Sequence, residues 1–197
     1  MLTGVGAVIN TARVSAGSSV AVIGLGGVGL SSLLGAVAVG ARRIVAVDLS
    51  DEKLGLARQL GATDTFNSSN PDAVEAIRSA TNGGVEFAFE MAGSVRAMDV
   101  AYRITRRGGT TVTAGLPPPN HTFALPQANL VAEERTVKGS YIGTCVPVRD
   151  LPRYIELYRG GKLPVDRLMS GRLRLDEINA GFDRLNEGKA VRQVVVF

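Results

Sequence analysis

Short runs that are apolar at nearly every position alternate along the chain with longer stretches of helical spacing. Ser19–Ile23 (SVAVI), Arg43–Asp48 (RIVAVD), Val85–Phe89 (VEFAF), Gly109–Ala114 (GTTVTA) and Thr136–Ile142 (TVKGSYI) read as strands. Runs apolar on both faces belong to parallel sheets, because helices cover each side. Between them, Gly29 to Val39 is small and apolar throughout, which suits a helix packed tightly on a sheet. Ser50 stands where a helix cap belongs, with Asp51 and Glu52 in the first turn near the positive end of the dipole. Leu54, Ala57 and Leu60 then share one face, and Gly61 occupies the C-terminal cap. Pro71 opens a third helix, and Ser94 caps a fourth that runs to about Thr105. This alternation predicts βαβ units and an α/β fold with a doubly wound parallel sheet.

The rhythm lapses late in the chain. Pro117-Pro118-Pro119 marks a rigid loop at the end of a strand. After Ile142 a helix from about Asp150 to Arg159 leads into Gly160-Gly161 and a turn at Pro164. A short strand near Arg172 follows, then a helix capped by Asp176 with Ile178, Phe182 and Leu185 on one side. Gln193 to Phe197 closes the chain as a strand. The reading is one domain over residues 1–142 and a tail over 143–197 that is too small to hold a core of its own.

Composition narrows the function. The 197 residues are 45% hydrophobic and 20% charged, ordinary for a globular protein. Cys145 is the only cysteine, so neither an internal disulfide nor a cysteine-rich zinc module can form. The net charge is +4, and the basic residues are dispersed without a run of five or six, so nucleic-acid binding has no support. Val14 to Ala41 carries no charge and is long enough to span a bilayer. Gly24, Gly26, Gly27 and Gly29 fall in its middle, however, and split it into strand, turn and buried helix rather than a membrane segment. No charged segment followed by an apolar core opens the chain, so the expected location is cytoplasmic.

The same glycines carry the clearest chemistry. Gly24-Leu25-Gly26-Gly27-Val28-Gly29 fits Gly-x-Gly-x-x-Gly, after one expected strand and at the head of the next helix. Asp48 ends the following strand, 19 residues beyond Gly29. Each part has a mechanical role in holding a dinucleotide. Gly24 permits the tight turn, Gly26 lets the main chain approach a pyrophosphate, and Gly29 lets helix and strand pack closely. The helix amino terminus offers N–H groups to the phosphates, and the Asp48 carboxylate can accept hydrogen bonds from the ribose hydroxyls. A 2′-phosphate beside Asp48 would juxtapose like charges, and Leu49 and Ser50 offer no arginine to receive it, so NAD is favoured over NADP. Lys53 reads equally as a ribose contact or as a solvated helix lysine.

Taken together, LTGVGAVINTA, SVAVIGLGGVGL, IVAVDLSDEKLGLARQLGAT, RRGGTTVTAGLPP, VKGSYIG and LRLDEINAGFDRLNEGKAVR resemble the zinc-type medium-chain alcohol dehydrogenases, in particular their Rossmann cofactor-binding half. The resemblance implies roles for further residues. Thr3 would support the nicotinamide, Asp48 and Lys53 would hold the adenosine ribose, and Met91 and Ala92 would wall the cleft. Ala114, Leu116 and Ile142 would receive the carboxamide through the main chain, and Gly115 would belong to the same cofactor site. Leu116 and Tyr141 would border the substrate pocket, and Arg192 would reach back to the pyrophosphate. Without the resemblance, Met91, Ala92, Ala114 and Ile142 read as core positions and Arg192 as a surface charge.

In that family an amino-terminal domain holds the catalytic zinc. A catalytic zinc needs three protein ligands, whereas this chain offers only Cys145 and His121, neither at a position matching a family ligand. The expectation is therefore an NAD-binding portion with no catalytic or metal residues of its own, zinc belonging to the complete enzyme, and cofactor binding without turnover. Residues 143–197 resemble the segment that returns to the catalytic domain, so their apolar surface should lie uncovered and favour self-association. The resemblance also implies a homodimer through the edge strand near Val137 to Ile142, and an alcohol or aldehyde as substrate of the complete enzyme. Two alternatives stay open: an NAD-sensing or interaction module, and a zinc-independent quinone oxidoreductase, against which Asp48 speaks because such relatives favour NADPH.

Overall fold

A computed structural model describes residues 1–197. The chain opens with α1 (Leu2–Gly6), which widens into a π-helical stretch over Ala7–Ala12. Six parallel strands follow, with helices in the crossovers: β1 (Ser19–Ile23), α2 (Gly27–Ala38), β2 (Arg43–Asp48), α3 (Asp51–Gln59), β3 (Asp64–Asn67), α4 (Ala73–Ala80), β4 (Val85–Glu90), α5 (Val95–Ile104), β5 (Thr105–Thr113), α6 (Gln127–Ala132) and β6 (Thr136–Gly139). Their order across the sheet is β3-β2-β1-β4-β5-β6, and every pairing is parallel. The order reverses between β1 and β4, and ligands of such sheets bind at the carboxyl ends of the strands beside that reversal.

Side chains alternate between the two covers of the sheet. Val20 and Val22 of β1 pack with Leu30, Leu33 and Leu34 of α2 and with Val5 and Val8 of the opening helix. Ala21 and Ile23 face the other way, onto Ile77, Val100 and Ile104. This is why β1 is buried at all five positions, as its unbroken apolar run requires.

β1 and β2 lie where the apolar runs place them, and the Ser50 and Ser94 hydroxyls accept the N–H groups of Lys53 and Ala97 as helix caps. Other boundaries shift. Pro71 lies in a turn and α4 begins at Ala73. β6 ends at Gly139 rather than Ile142, because the backbone turns left-handed at Ile142. Asp176 does not cap a helix. It sits inside a 3-10 turn, Leu175–Glu177, whose entrance is closed by the Glu177 carboxylate accepting the Arg174 N–H at 2.8 Å.

The tail begins with α7 (Pro147–Arg159), and Tyr154, Leu163 and Leu168 join the same core as Val5, Val8 and Leu30. β7 (Gly171–Leu173), α8 (Ile178–Asn186) and β8 (Gln193–Val195) follow, the two strands forming a separate parallel pair. Val148, Leu151, Ile155 and Tyr158 of α7 stand at the surface, as do Phe182 and Leu185 of α8. No helix is long and apolar enough to cross a membrane.

At the far edge of the sheet, Arg43 donates to both oxygens of Asp64 at 2.7 and 2.9 Å, tying β2 to β3. That hydrogen bonding holds the Asp64 carboxyl below the usual range. A depressed carboxyl contributes stability above its unfolded value, about pH 4, and loses it as the pH falls further. Asp64→Asn should therefore lower the melting temperature by about 1–3 °C at pH 7, with the difference shrinking progressively as the pH falls below about 4, as read by calorimetry across that range.

Candidate functional site

The turn after β1 forms the centre of the site. Gly24 takes φ +90°, a conformation that disfavours any side chain, and its N–H donates to the Val47 carbonyl of β2 at 2.9 Å. A Cβ on Gly29 would overlap the Gly24 carbonyl oxygen, so only glycine lets α2 begin this close to β1. Gly26 occupies the N-cap position, where no side chain caps the helix and a Cβ would meet nothing within 4 Å. The first-turn N–H groups of Gly27, Val28 and Gly29 thus face an open space at the positive end of the α2 dipole. The Arg192 guanidinium reaches this point from the tail and lies 3.0 Å from where a Cβ on Gly27 would stand.

Asp48 borders the turn. One carboxylate oxygen accepts the Leu25 N–H at 2.6 Å and the other accepts the Ser50 N–H at 3.0 Å. These bonds fasten the glycine turn to the end of β2, and each oxygen keeps lone-pair capacity for a hydroxyl donor. Beside it opens a cleft of about 260 Å³ lined by Gly24, Asp48, Lys53, Ala92 and Val100, among others. Ser68 and Arg96 also line it, and the Arg96 guanidinium donates to the Ser68 carbonyl at 3.2 Å. Sequence reading passed over both. Their signal is positional: Ser68 follows the carboxyl end of β3 and Arg96 lies in the first turn after β4, where such sheets bind ligands.

The other wall comes from the ends of β4 and β5. Ala92 packs against Gly24, Met91 against Gly29, and Gly115 against Gly93. Glu90, only 1% exposed, organises this wall: its carboxylate accepts the N–H groups of Ala92 and Gly93 at 2.8 and 2.6 Å and the Thr113 hydroxyl at 2.7 Å. It too was missed, although an acid ending an apolar strand demands partners if it is buried. The Ala114 N–H is occupied by the Glu90 carbonyl at 3.0 Å, so only its carbonyl remains for a ligand. Leu116, beside Gly93, is 84% exposed, and Tyr141, after β6, is 78% exposed.

Thr3 and the segment after β6 meet on a third side. Gly4 packs against the Val28 carbonyl, and Gly143 against the carbonyls of Leu2 and Thr3. The opening helix therefore touches both the start of α2 and the segment after β6. Gly24–Gly29, Asp48, Met91, Ala92, Ala114, Gly115 and Leu116 follow the carboxyl ends of β1, β2, β4 and β5, and Lys53 lines the cleft beside them; Tyr141 and Ile142 follow β6, Thr3 lies in the opening helix and Arg192 comes from the tail. An uncapped helix end, a flanking arginine and a ribose-side carboxylate fit a dinucleotide.

Zinc does not find its donors here. His121 lies in a turn after the prolines, while the half-buried Cys145 thiol donates to the Leu2 carbonyl at 3.3 Å. No group of three His, Cys, Asp or Glu side chains converges as a metal would require.

Known proteins agree with this geometry. Residues 27–159 match the zinc-binding dehydrogenase family. The chain is 37% identical over 196 residues to alcohol dehydrogenase 1 of Pisum sativum, covering 98% of this chain and 51% of that protein. Benzyl alcohol dehydrogenase of Acinetobacter calcoaceticus superposes with a TM-score of 0.95 at 36% identity, over 98% of this chain and 53% of the other. An alcohol dehydrogenase zinc-binding domain protein of Burkholderia ambifaria superposes with a TM-score of 0.95 at 34% identity, over 98% and 52% of the two chains. The chain thus spans about half the length of these relatives. With fold, glycine turn and overall likeness in agreement, the chain belongs to the zinc-binding dehydrogenases, the zinc-type medium-chain alcohol dehydrogenase family, and corresponds to their cofactor-binding half.

Proposed function

We propose that this chain binds NAD(H) for an oxidoreductase that moves hydride between an alcohol and an aldehyde or ketone. The observation that carries the reading is the bare amino end of α2, open to solvent at Gly26 and flanked by Arg192 on one side and Asp48 on the other. A pyrophosphate there receives N–H groups, the helix dipole and one guanidinium. The adenosine ribose lies at Asp48, with Lys53 beside it and the adenine in the cleft that Arg96 borders.

NAD is preferred over NADP because Asp48 is fixed by two backbone N–H groups and cannot swing away from a 2′-phosphate without releasing the turn. Like charges so placed cost several kcal/mol. The bound nicotinamide supplies the hydride acceptor. The chain contributes its placement, through Thr3, Ala114 and Ile142, and a partly apolar mouth at Leu116 and Tyr141 where an alcohol enters. We assign no step of the chemistry to a metal, since these residues hold none, and the chain by itself binds cofactor without turning over alcohol. We further propose a homodimer through β6, which pairs on one side only and is exposed at all four positions.

Titration with NADH should saturate, with NADPH bound at least about tenfold more weakly, and Asp48→Ala should cost NADH binding about tenfold or more. Arg192→Ala should weaken NADH binding about as much. Equal affinity for both cofactors, or no binding by folded chain, would overturn the assignment. Incubated with NAD⁺, a zinc salt and a primary alcohol, the chain should form no NADH, and its appearance would refute binding without turnover. Sedimentation should give twice the chain mass, a monomer removing the dimer.

A further inference from the structure

The segment after β6 holds a conformation that its residues resist. Ile142, Gly143 and Thr144 take φ values of 49°, 69° and 50°, three successive left-handed residues of which two are β-branched. Branched side chains rarely enter this region, and such geometry persists only where the surroundings impose it.

Here the surroundings are identifiable. The Thr11 hydroxyl bonds both the Ser140 hydroxyl at 2.8 Å and the Thr144 hydroxyl at 2.7 Å, bracketing the turn. The fully buried Asp150 carboxylate accepts the Val146 N–H at 2.9 Å and the Asn10 amide at 3.2 Å. The Asn10 amide in turn lies 3.4 Å from the Gly143 carbonyl. Arg149 grips Asp150 with two bonds of 2.8 Å, which holds its carboxyl well below the usual carboxylate range. Asn10 and Thr11 both lie in the π-helical stretch, a geometry frequent at functional sites. The Ile142 N–H has no partner within the chain.

We propose that Thr11 and Asp150 are positioning residues for the nicotinamide end of the cofactor site, strapping residues 140–146 to the opening helix so that the left-handed turn keeps the Ile142 N–H free for the carboxamide oxygen. This rests on the NAD(H) reading above. Neither residue touches cofactor. Thr11 acts through Ser140 and Thr144, and Asp150 through Asn10 and Val146.

The test is calorimetric titration of the full chain with NADH and with ADP-ribose, which shares every group except the nicotinamide. In the wild type NADH should bind more tightly than ADP-ribose. In Thr11→Val the NADH affinity should fall about three- to tenfold, the worth of one hydrogen bond, while ADP-ribose stays within about twofold. Thr11→Ser, which keeps the hydroxyl, should restore NADH binding, and Asp150→Asn should follow Thr11→Val. Faster amide exchange confined to residues 141–146 in Thr11→Val should accompany the effect and shows that the rest of the fold is intact. Parallel loss of both ligands, or no change in either, would overturn the positioning role. Equal affinity of the wild type for NADH and ADP-ribose would overturn it too, while leaving the cofactor site standing. A folded wild type that binds neither ligand would bring down the cofactor reading and this inference together.

Discussion

The carbonyl of Gly24 lies against Gly29 with no room for a methyl group between them, and much of the molecule is arranged around that contact. Because α2 starts so near β1, Leu25 is driven fully into the core and the helix end projects from the middle of the sheet. Gly4 is drawn against the Val28 carbonyl by the same approach, which seats the opening helix on α2. A methyl group at Gly29 would have to lift α2 from the sheet, and close-packed interiors do not absorb such a shift locally. The apolar layer of Leu30, Leu33 and Leu34 would lose its register with Val20 and Val22.

The polar groups around that contact are divided by purpose. Glu90 is buried and saturated by its own strand ends, so its charge is consumed in shaping the wall. Asp48 also carries two backbone donors, yet it stands at the rim of the cleft and remains half-buried. Two acids at the ends of the strands that flank β1 are therefore used differently, Glu90 as a brace inside the wall and Asp48 facing the cleft. Arg192 balances Asp48 from the opposite side of the turn, where a diphosphate would need it.

Much of this was legible in the chain. β1 and β2 follow from unbroken apolar runs, and the Gly24–Gly29 spacing with Asp48 announces the tight turn and the acid that braces it. β3 was not foreseen because Asp-Thr-Phe-Asn is a short, half-buried edge strand held by pairing with β2 and by the Arg43–Asp64 ion pair, neither of which leaves a local pattern. The opening helix escaped notice because Gly4, Gly6 and Val8 are poor helix formers with no capping residue, and it is packing that winds them. Thr136–Ile142 reads as one strand because nothing local announces that Ile142 turns left-handed, in a turn bracketed by hydrogen bonds to Thr11, more than a hundred residues earlier. Glu90 and Arg96 were passed over because their importance lies in which strand ends the sheet order brings together.

One apolar core joins residues that stand far apart in sequence. Val5 and Val8 share one apolar cluster with Tyr154 and Leu163, and the Asn10 amide meets the Tyr154 hydroxyl across 144 positions of sequence. The opening helix can seat on α2 early, but its contacts with Tyr154 and Leu163 wait until those distant residues have been brought back to it. Contacts that close so long a loop form late and slowly. Until those contacts form, the apolar side chains they cover stand exposed, and partly folded states of this kind are the ones most open to aggregation.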